Sequence, residues 1–321
     1  MKRKGLFYVL IASLIFSVFP AAGGAAEKYP AREIQFVSPN QPGGFVDITV
    51  RLLKPNLEKI LGVPIVVDSR PAGKGTAGTV YVMKAKPDGY TIGTISSATI
   101  PVLPAITPNV PFKYSDLDPL AKYAISPTLF FCRADAPWKT IEDLVADAKK
   151  RPGQITYGTT VSGTSELLIK GFIRDAGINM LQVPMEAAGQ TIIRTVGGNL
   201  DLGVTALTTL TSQIKAGTVR VLFLSTPERV GTFPQIPTMK EKGYGGSVVN
   251  LYNGFFAPRG VPQPIRETLV KALEKAIKDP AVKKKLEELG TVVDYLPADA
   301  FTREIEEDYN RVLKITHSHK H

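Results

Sequence analysis

Three loops rich in glycine and hydroxyl residues carry the groups of this chain that could hold a small ligand. They span residues 38–47, 73–78 and 159–165, and each stands between a predicted strand and a predicted helix. The N–H groups at a helix start attract anions, and Ser and Thr hydroxyls add further donors. The first and third loops therefore suit a carboxylate. An ordinary turn explains Gly43 and Gly44 equally well, and Asp47 and Thr164 could serve only as helix N-caps.

The second loop, Gly73-Lys74-Gly75-Thr76-Ala77-Gly78, has the G-x-G-x-x-G pattern of dinucleotide-binding turns. Its context argues against that function, because it follows the second predicted strand and not the first. The next strand ends in Ser96 and Ser97, where an acidic ribose ligand is expected. We therefore expect no nucleotide cofactor.

Histidine is confined to His317, His319 and His321, in a tail (316–321) predicted to be disordered. This placement excludes Ser-His-Asp and Cys-His catalysis and His-ligated metal centres inside the fold. The one cysteine, Cys132, lies in an apolar run and is predicted to be a small core residue. We expect no catalytic residue, no metal and no cofactor.

The amino terminus has the pattern of a secretory signal peptide over residues 1–26, with basic residues, a short apolar run and small residues before a cleavage site near Ala26. The formal net charge of +10 becomes +7 without Lys2, Arg3 and Lys4. The remaining cations are spread along amphipathic helices without interleaved aromatics, so no nucleic-acid partner is expected. We expect a periplasmic protein.

Short strand-like runs alternate with helical patterns, which predicts an α/β fold with helix-covered sheets. A first set of strands comprises 33–37, 65–68 and 90–95, and a second set comprises 128–132, 155–157, 180–183, 200–204 and 219–224. The rhythm breaks at 101–119 and 234–253, and we expect the chain to cross between two lobes near 120–128 and near 248–256. Lobe 1 is predicted to comprise 27–126 and 249–315, and lobe 2 to comprise 127–248.

A series of motifs lies along the chain in a fixed order and spacing: Tyr29-Pro30, Pro42-Gly43-Gly44 with Asp47, Pro87-Asp88-Gly89-Tyr90-Thr91, Tyr157-Gly158-Thr159, Val183-Pro184, Gly197-Gly198, Ile214-Lys215-Ala216-Gly217, Pro234 to Pro237 and Gly254-Phe255-Phe256-Ala257-Pro258. Through these motifs the chain resembles, from Tyr29 to Ile315, the Bug-type substrate-binding proteins of tripartite tricarboxylate transporters. The resemblance implies a two-lobed periplasmic-binding architecture (type II-like) with two crossover strands. It also implies a carboxylate ligand held by loop amides, hydroxyls and waters.

Carried over by this resemblance, the ligand contacts come from the loops of both lobes. They are Asn40, Gln41, Gly43, Gly44, Asp47, Ser96 and Ser97 in the first lobe, and Thr159, Thr160, Ser162, Gly163, Thr164, Glu186, Ala188 and Thr205 in the second. The chain departs from the family pattern at Met185-Glu186-Ala187, at Leu167 where the family often has His, and at Thr205 where it often has an acidic residue. The last two changes predict a less polar pocket, which favours a di- or aromatic carboxylate.

The resemblance implies a monomer that hands its ligand to membrane transporter subunits. The same closed form could present a ligand to a membrane sensor kinase, and an enzyme using the 73–78 loop is the third hypothesis. Neighbouring genes for two membrane subunits would favour transport, and a neighbouring gene for a histidine kinase would favour sensing. A titration with dinucleotides tests the enzyme hypothesis.

Overall fold

The computed structural model describes residues 29–160, 163–226, 228–244 and 250–317. The predicted signal peptide with its cleavage position near Ala26, the candidate site residue Ser162, and His319 and His321 lie outside these ranges. Within them, no helix is both long and apolar enough to cross a membrane.

The described strands form two separate sheets. In chain order they are β1 (Ile34–Ser38), β2 (Ile65–Ser69), β3 (Thr91–Ser96), β4 (Leu117–Ser126), β5 (Thr128–Arg133), β6 (Thr156–Thr160), β7 (Leu181–Met185), β8 (Leu202–Ala206), β9 (Val219–Leu224), β10 (Leu251–Pro258) and β11 (Val292–Pro297). The first sheet has the order β11-β4-β10-β3-β1-β2, and the second has the order β7-β6-β8-β5-β9. The predicted two-lobed α/β architecture is confirmed.

Each sheet mixes a parallel and an antiparallel part. In the first, β1 pairs in parallel with β2 and β3, whereas β10 is antiparallel to β3 and β4. In the second, β6 pairs in parallel with β7 and β8, whereas β5 is antiparallel to β8 and β9. The two lobes therefore share one arrangement, in which three parallel strands joined by helices lie beside antiparallel strands that adjoin the crossings.

Helices cover both sheets. They are α1 (Phe45–Leu61), α2 (Thr76–Met83), α3 (Leu103–Ile106), α4 (Ile141–Lys150), α5 (Thr164–Ala176), α6 (Ala188–Val196), α7 (Leu207–Lys215), α8 (Gln263–Ile277), α9 (Pro280–Glu288) and α10 (Ala298–His317). A π-helical turn (Ala98–Val102) leads into α3, and a 3₁₀ turn spans Tyr114–Asp116. Because α10 extends through His317, the first two residues of the predicted disordered tail are helical.

Local sequence explains where several helices begin. Asp143 donates its N–H to the hydroxyl of Thr140, and the carboxylate of Asp143 accepts the N–H of Thr140 at 2.9 Å. This reciprocal pair is a capping box, and it fixes the start of α4. Asp279 caps α9 in a similar way by accepting the N–H of Ala281 at 2.8 Å.

The chain crosses between the sheets twice, from β4 to β5 and from β9 to β10. At the first crossing the N–H of Leu207 donates to the carbonyl of Pro127 at 2.7 Å, and the hydroxyls of Ser126 and Thr208 lie 3.2 Å apart. These bonds tie the crossing to the start of α7, which keeps the two sheets adjacent.

Each lobe has its own apolar core. In the first, Phe36, Tyr123 and Phe255 pack between the sheet and helices α1 and α8, with ring centroids 4.7 to 5.4 Å apart. In the second, Phe130, Phe172 and Phe223 form a cluster with centroids 4.5 to 5.3 Å apart. Cys132 lies in this second core, as predicted, and burial raises the pKa of its thiol to about 11.

Candidate ligand-binding site

The predicted site residues gather at the carboxyl ends of the parallel strands in both lobes. Asn40 to Asp47 follow β1, and Ser96 ends β3. Thr160 ends β6, while Glu186 follows β7 and Thr205 lies near the end of β8. Ligands of open α/β sheets bind at such carboxyl edges, where the strands connect to helix N-termini. The sheets therefore place the candidate residues where a ligand can reach them.

The first loop is braced from within by Asp47. This carboxylate is buried and accepts the N–H of Gly43 at 3.0 Å and the Nε of Arg51 at 2.8 Å. Gly43 has a φ of 76°, a left-handed conformation that glycine adopts without steric cost. Because Gly44 occupies the N-cap position of α1, the prediction that Asp47 is the N-cap is wrong. Asp47 instead lies in the first turn of α1, where its carboxylate stabilises the preceding loop by accepting the N–H of Gly43.

The start of α1 leaves donors available to a ligand. Its first backbone bond is donated by Ile48 to the carbonyl of Gly44 at 3.0 Å, so the N–H groups of residues 45–47 have no acceptor inside the helix. The N–H of Gly44 itself points to the carbonyl of Gln41 at 3.3 Å. The first loop thus offers the first-turn N–H groups of α1 to an anion.

Two of the predicted site residues of the first lobe have a buried polar atom without a partner among the described residues. They are Asn40, through its Oδ1, and Ser96, through its hydroxyl. Buried polar atoms are almost always hydrogen-bonded, so each calls for a water or ligand group. Ser97 differs, because it donates its hydroxyl to the carbonyl of Asn250 at 2.9 Å and accepts the N–H of Tyr252 at 3.2 Å. The side chain of Ser97 is therefore bonded to the backbone at the start of β10.

The 73–78 loop supports the first loop by close packing. A Cβ at Gly78 would lie 2.9 Å from the Cα of Pro39, and a Cβ at Gly75 would lie 3.2 Å from the carbonyl oxygen of Pro39. The two glycines therefore let the start of α2 pack directly against the first loop. This contact gives the glycine pattern a structural reason.

A polar network that the sequence did not indicate lies beneath Ser96. The hydroxyl of Thr49 lies 2.9 Å from the hydroxyl of Tyr123 and accepts the Nδ2 of Asn253 at 3.1 Å. Asn253 is the antiparallel partner of Ser96. Burial raises the pKa of Tyr123 to about 12, so its hydroxyl keeps its proton. No local motif could have found this network, because it joins α1, β4 and β10.

The third loop brings hydroxyls to the start of α5. Thr159 is fully buried and its hydroxyl has no partner among the described residues, whereas Thr160 is half-buried. Gly163 takes the N-cap position, so Thr164 is the first residue of the helix and not its cap. The N–H of Leu167 donates to the carbonyl of Gly163 at 3.2 Å, which leaves the N–H groups of Thr164 and Ser165 without acceptors inside the helix.

The remaining predicted residues of lobe 2 contribute less directly. The side chain of Glu186 is exposed, and its N–H donates to Oε1 of Gln190 at 3.2 Å. Ala188 is the first residue of α6 and is half-buried. The hydroxyl of Thr205 lies 3.1 Å from that of Thr209, so it already has a partner.

The residues that follow the site in each lobe meet in one apolar cluster. Val102, after β3, packs with Leu167 from the first turn of α5 and with Val312 of α10. This cluster brings the carboxyl edges of the two sheets to the same side of the molecule. It also gives Leu167 a packing role, which explains an apolar side chain at this position.

The candidate site is electrostatically simple. None of the predicted site residues that the structure describes is cationic, the Asp47 carboxylate is paired with Arg51, and Glu186 faces solvent. Among the described residues no group of His, Cys, Asp or Glu is arranged to hold a metal ion. An anion bound here would rely on hydroxyls and helix N-termini of both lobes.

Two helix-covered sheets joined by two crossings, with anion-compatible loops at facing edges, are typical of solute-binding proteins. The model of the tripartite tricarboxylate transporter family receptor matches residues 49–320, so the chain belongs to that family.

Relatives and solved structures agree with this family. A protein from the TAR-I ttuE-ttuC′ intergenic region of Agrobacterium vitis is 30% identical and covers 94% of this chain and 88% of its own length. The periplasmic binding protein BugD matches at a TM-score of 0.81 and 27% identity, over 90% of this chain and 98% of its own. Two further structures share the fold, malate-bound MatC from Rhodopseudomonas palustris and an adipate-bound R. palustris protein. Each matches 89% of this chain with a TM-score of 0.80 and 24% identity. The match covers 99% of the length of MatC and 97% of the length of the adipate-bound protein.

Proposed function

We propose that this protein captures a small organic carboxylate between its lobes in the periplasm and delivers it, as a monomer and without turnover, to the membrane subunits of a tripartite transporter. The observation that carries the proposal is that two of the predicted site residues, Ser96 and Thr159, have a buried hydroxyl without a partner among the described residues. Ser96 ends β3 in lobe 1, and Thr159 lies in β6 before the start of α5 in lobe 2.

The ligand is proposed to bridge the two loops. Hydrogen bonds from hydroxyl or backbone N–H groups to a charged carboxylate are each worth about 1.5 to 3 kcal/mol. The amide oxygen of Asn40 cannot donate to a carboxylate, but it can accept from a water or from a hydroxyl of the ligand. Ligand contacts from Gln41, Gly43, Gly44, Thr160, Ser162, Gly163, Thr164, Glu186, Ala188 and Thr205 remain part of this proposal.

A dicarboxylate fits two facing anion sites, because one carboxylate can engage each lobe. The malate and adipate in structures that share this fold are both dicarboxylates, which supports this choice. An aromatic carboxylate would engage one loop only and place its ring between the lobes.

A thermal-shift screen of mono-, di- and aromatic carboxylates, followed by calorimetry, tests the proposal. A ligand at 100 times its dissociation constant raises the free energy of unfolding by about 2.7 kcal/mol. We expect a dicarboxylate to give the largest shift and to be recovered unchanged. No stabilisation by any carboxylate, or stabilisation by dinucleotides instead, would contradict the proposal.

A further inference from the structure

Three elements of lobe 1 converge on one hydroxyl, that of Thr49, which lies one turn into α1. The hydroxyl of Tyr123 on β4 lies 2.9 Å from it, and Nδ2 of Asn253 on β10 lies 3.1 Å from it. All three residues are fully buried. Among the described residues, both side-chain hydrogen bonds that join α1 to the strands beside the crossings end on this one oxygen. The helix whose start is a candidate anion site is therefore bonded to the strands that connect the lobes.

The direction of each bond at the Thr49 hydroxyl follows from the protons that are available. Its oxygen lies 2.7 Å from the carbonyl oxygen of Phe45, which can only accept, so the single proton of the hydroxyl is donated there. Tyr123 and Asn253 must then donate to Thr49, and together they use both lone pairs of its oxygen. Thr49 thus joins the first residue of α1 to two strands at once.

The position of the Tyr123 hydroxyl is fixed by packing. The ring of Tyr123 stacks on Phe255 of β10, with centroids 4.7 Å apart and planes inclined by 28°, in a core that also contains Phe45. Phe45 directly follows Gly44, the N-cap of α1. A site that binds through backbone N–H groups needs those groups held to within about 0.5 Å, and bonds from side chains behind the site provide this support.

We propose that Tyr123 is a positioning residue for carboxylate binding, because its bond to Thr49 holds the first turn of α1 against β4 and β10. This inference rests on the proposed capture of a carboxylate at that turn. Tyr123 acts through Thr49 and not by contact with the ligand, since its side chain is fully buried. Asn253 extends the same support to Ser96, its register partner on β3. A looser network should therefore lower affinity from behind the site.

Calorimetry of Tyr123→Phe tests the positioning role. The probe is whichever of malate, adipate and benzoate stabilises the wild type most. The variant leaves no donor unpaired, since Thr49 keeps its bonds to Phe45 and Asn253, so the fold is retained. We expect affinity to fall by roughly 5- to 30-fold.

The matched control is Tyr252→Phe. Tyr252 is also a fully buried tyrosine beside a crossing, but its ring packs on Phe301 of α10, 5.7 Å between centroids. Successive residues of a strand point to opposite faces of the sheet, so Tyr252 and Asn253 face different helices. Tyr252→Phe should bind the probe as the wild type does, whatever its effect in urea unfolding.

Substitutions of Thr49 show whether Tyr123 acts through this hydroxyl. Thr49→Ser keeps the hydroxyl and should keep the affinity within about 2-fold, whereas Thr49→Val should lose at least as much as Tyr123→Phe. In the Thr49→Val background, Tyr123→Phe should cause no further loss of affinity, because residues that act as one unit are not additive. Should Thr49→Val not fold, the comparison of Tyr123→Phe with Tyr252→Phe decides alone.

The outcomes separate the positioning role from the proposed capture of a carboxylate. Wild-type affinity of Tyr123→Phe, equal losses in Tyr123→Phe and Tyr252→Phe, or additive losses with Thr49→Val each overturn the positioning role alone. A wild type that binds none of the three probes overturns the capture of a carboxylate and the positioning role with it.

Discussion

Replacing Thr159 by valine should weaken ligand binding while it stabilises the unliganded protein. Valine keeps the branched shape and removes only the hydroxyl, which is fully buried and has no partner among the described residues. The lost bond to a carboxylate predicts an affinity lower by about 1.5 to 3 kcal/mol, or roughly 10- to 150-fold. Removal of a buried unpaired hydroxyl should raise the free energy of unfolding by about 1 kcal/mol, since the desolvation of that group costs about 1 to 3 kcal/mol.

Thr191→Val is the matched control for this variant. Thr191 is also fully buried with an unpartnered hydroxyl, but it lies inside α6 and is not among the predicted ligand contacts. Calorimetry with the best carboxylate of the screen measures affinity, and urea unfolding without ligand measures stability. Both variants should gain stability, and only Thr159→Val should lose affinity. Equal affinity of Thr159→Val and wild type would show that this hydroxyl is not a ligand group.

Three further predictions concern the supporting structure. Gly78→Ala should displace the first loop through its contact with Pro39 and lower carboxylate affinity in calorimetry. The control Gly189→Ala should bind as wild type, because a Cβ there meets no atom within 4 Å. Equal affinities of the two variants would show that the position of the loop does not affect binding. Leu167→Ala should cost about 2 to 3 kcal/mol in urea unfolding through loss of packing with Val102 and Val312, and an unchanged midpoint would contradict that packing. Burial raises the pKa of Asp308 to about 6, so folding favours the protonated carboxyl, and this contribution to stability is lost as pH rises through 6. When the pH is lowered from 7.5 to 5, the free energy of unfolding of the wild type should therefore rise by about 1 kcal/mol relative to that of Asp308→Asn. Parallel curves of unfolding free energy against pH for the two proteins would contradict this.

The α/β class and most strands were predictable because the alternation of short apolar runs and helical patterns is a local property of the chain. The capping box at Thr140 was predictable for the same reason, since its two partners are three residues apart. The long crossing strands β4 and β10 were indicated only as breaks in the rhythm. Their pairing with β3 and β11 depends on distant segments that no local pattern specifies.

The sequence by itself indicated which loops carry donors that suit an anion and that histidine is confined to the last five residues, because composition and loop pattern do not depend on packing. Only the tertiary structure decided how those residues are used. Asp47, Ser97 and Thr205 have the right chemistry, but their polar atoms are engaged by Arg51, Tyr252 and Thr209. The hydroxyls of Ser96 and Thr159 are buried and have no partner among the described residues. The distinction arises from contacts between residues far apart in the chain, which only the folded protein brings together.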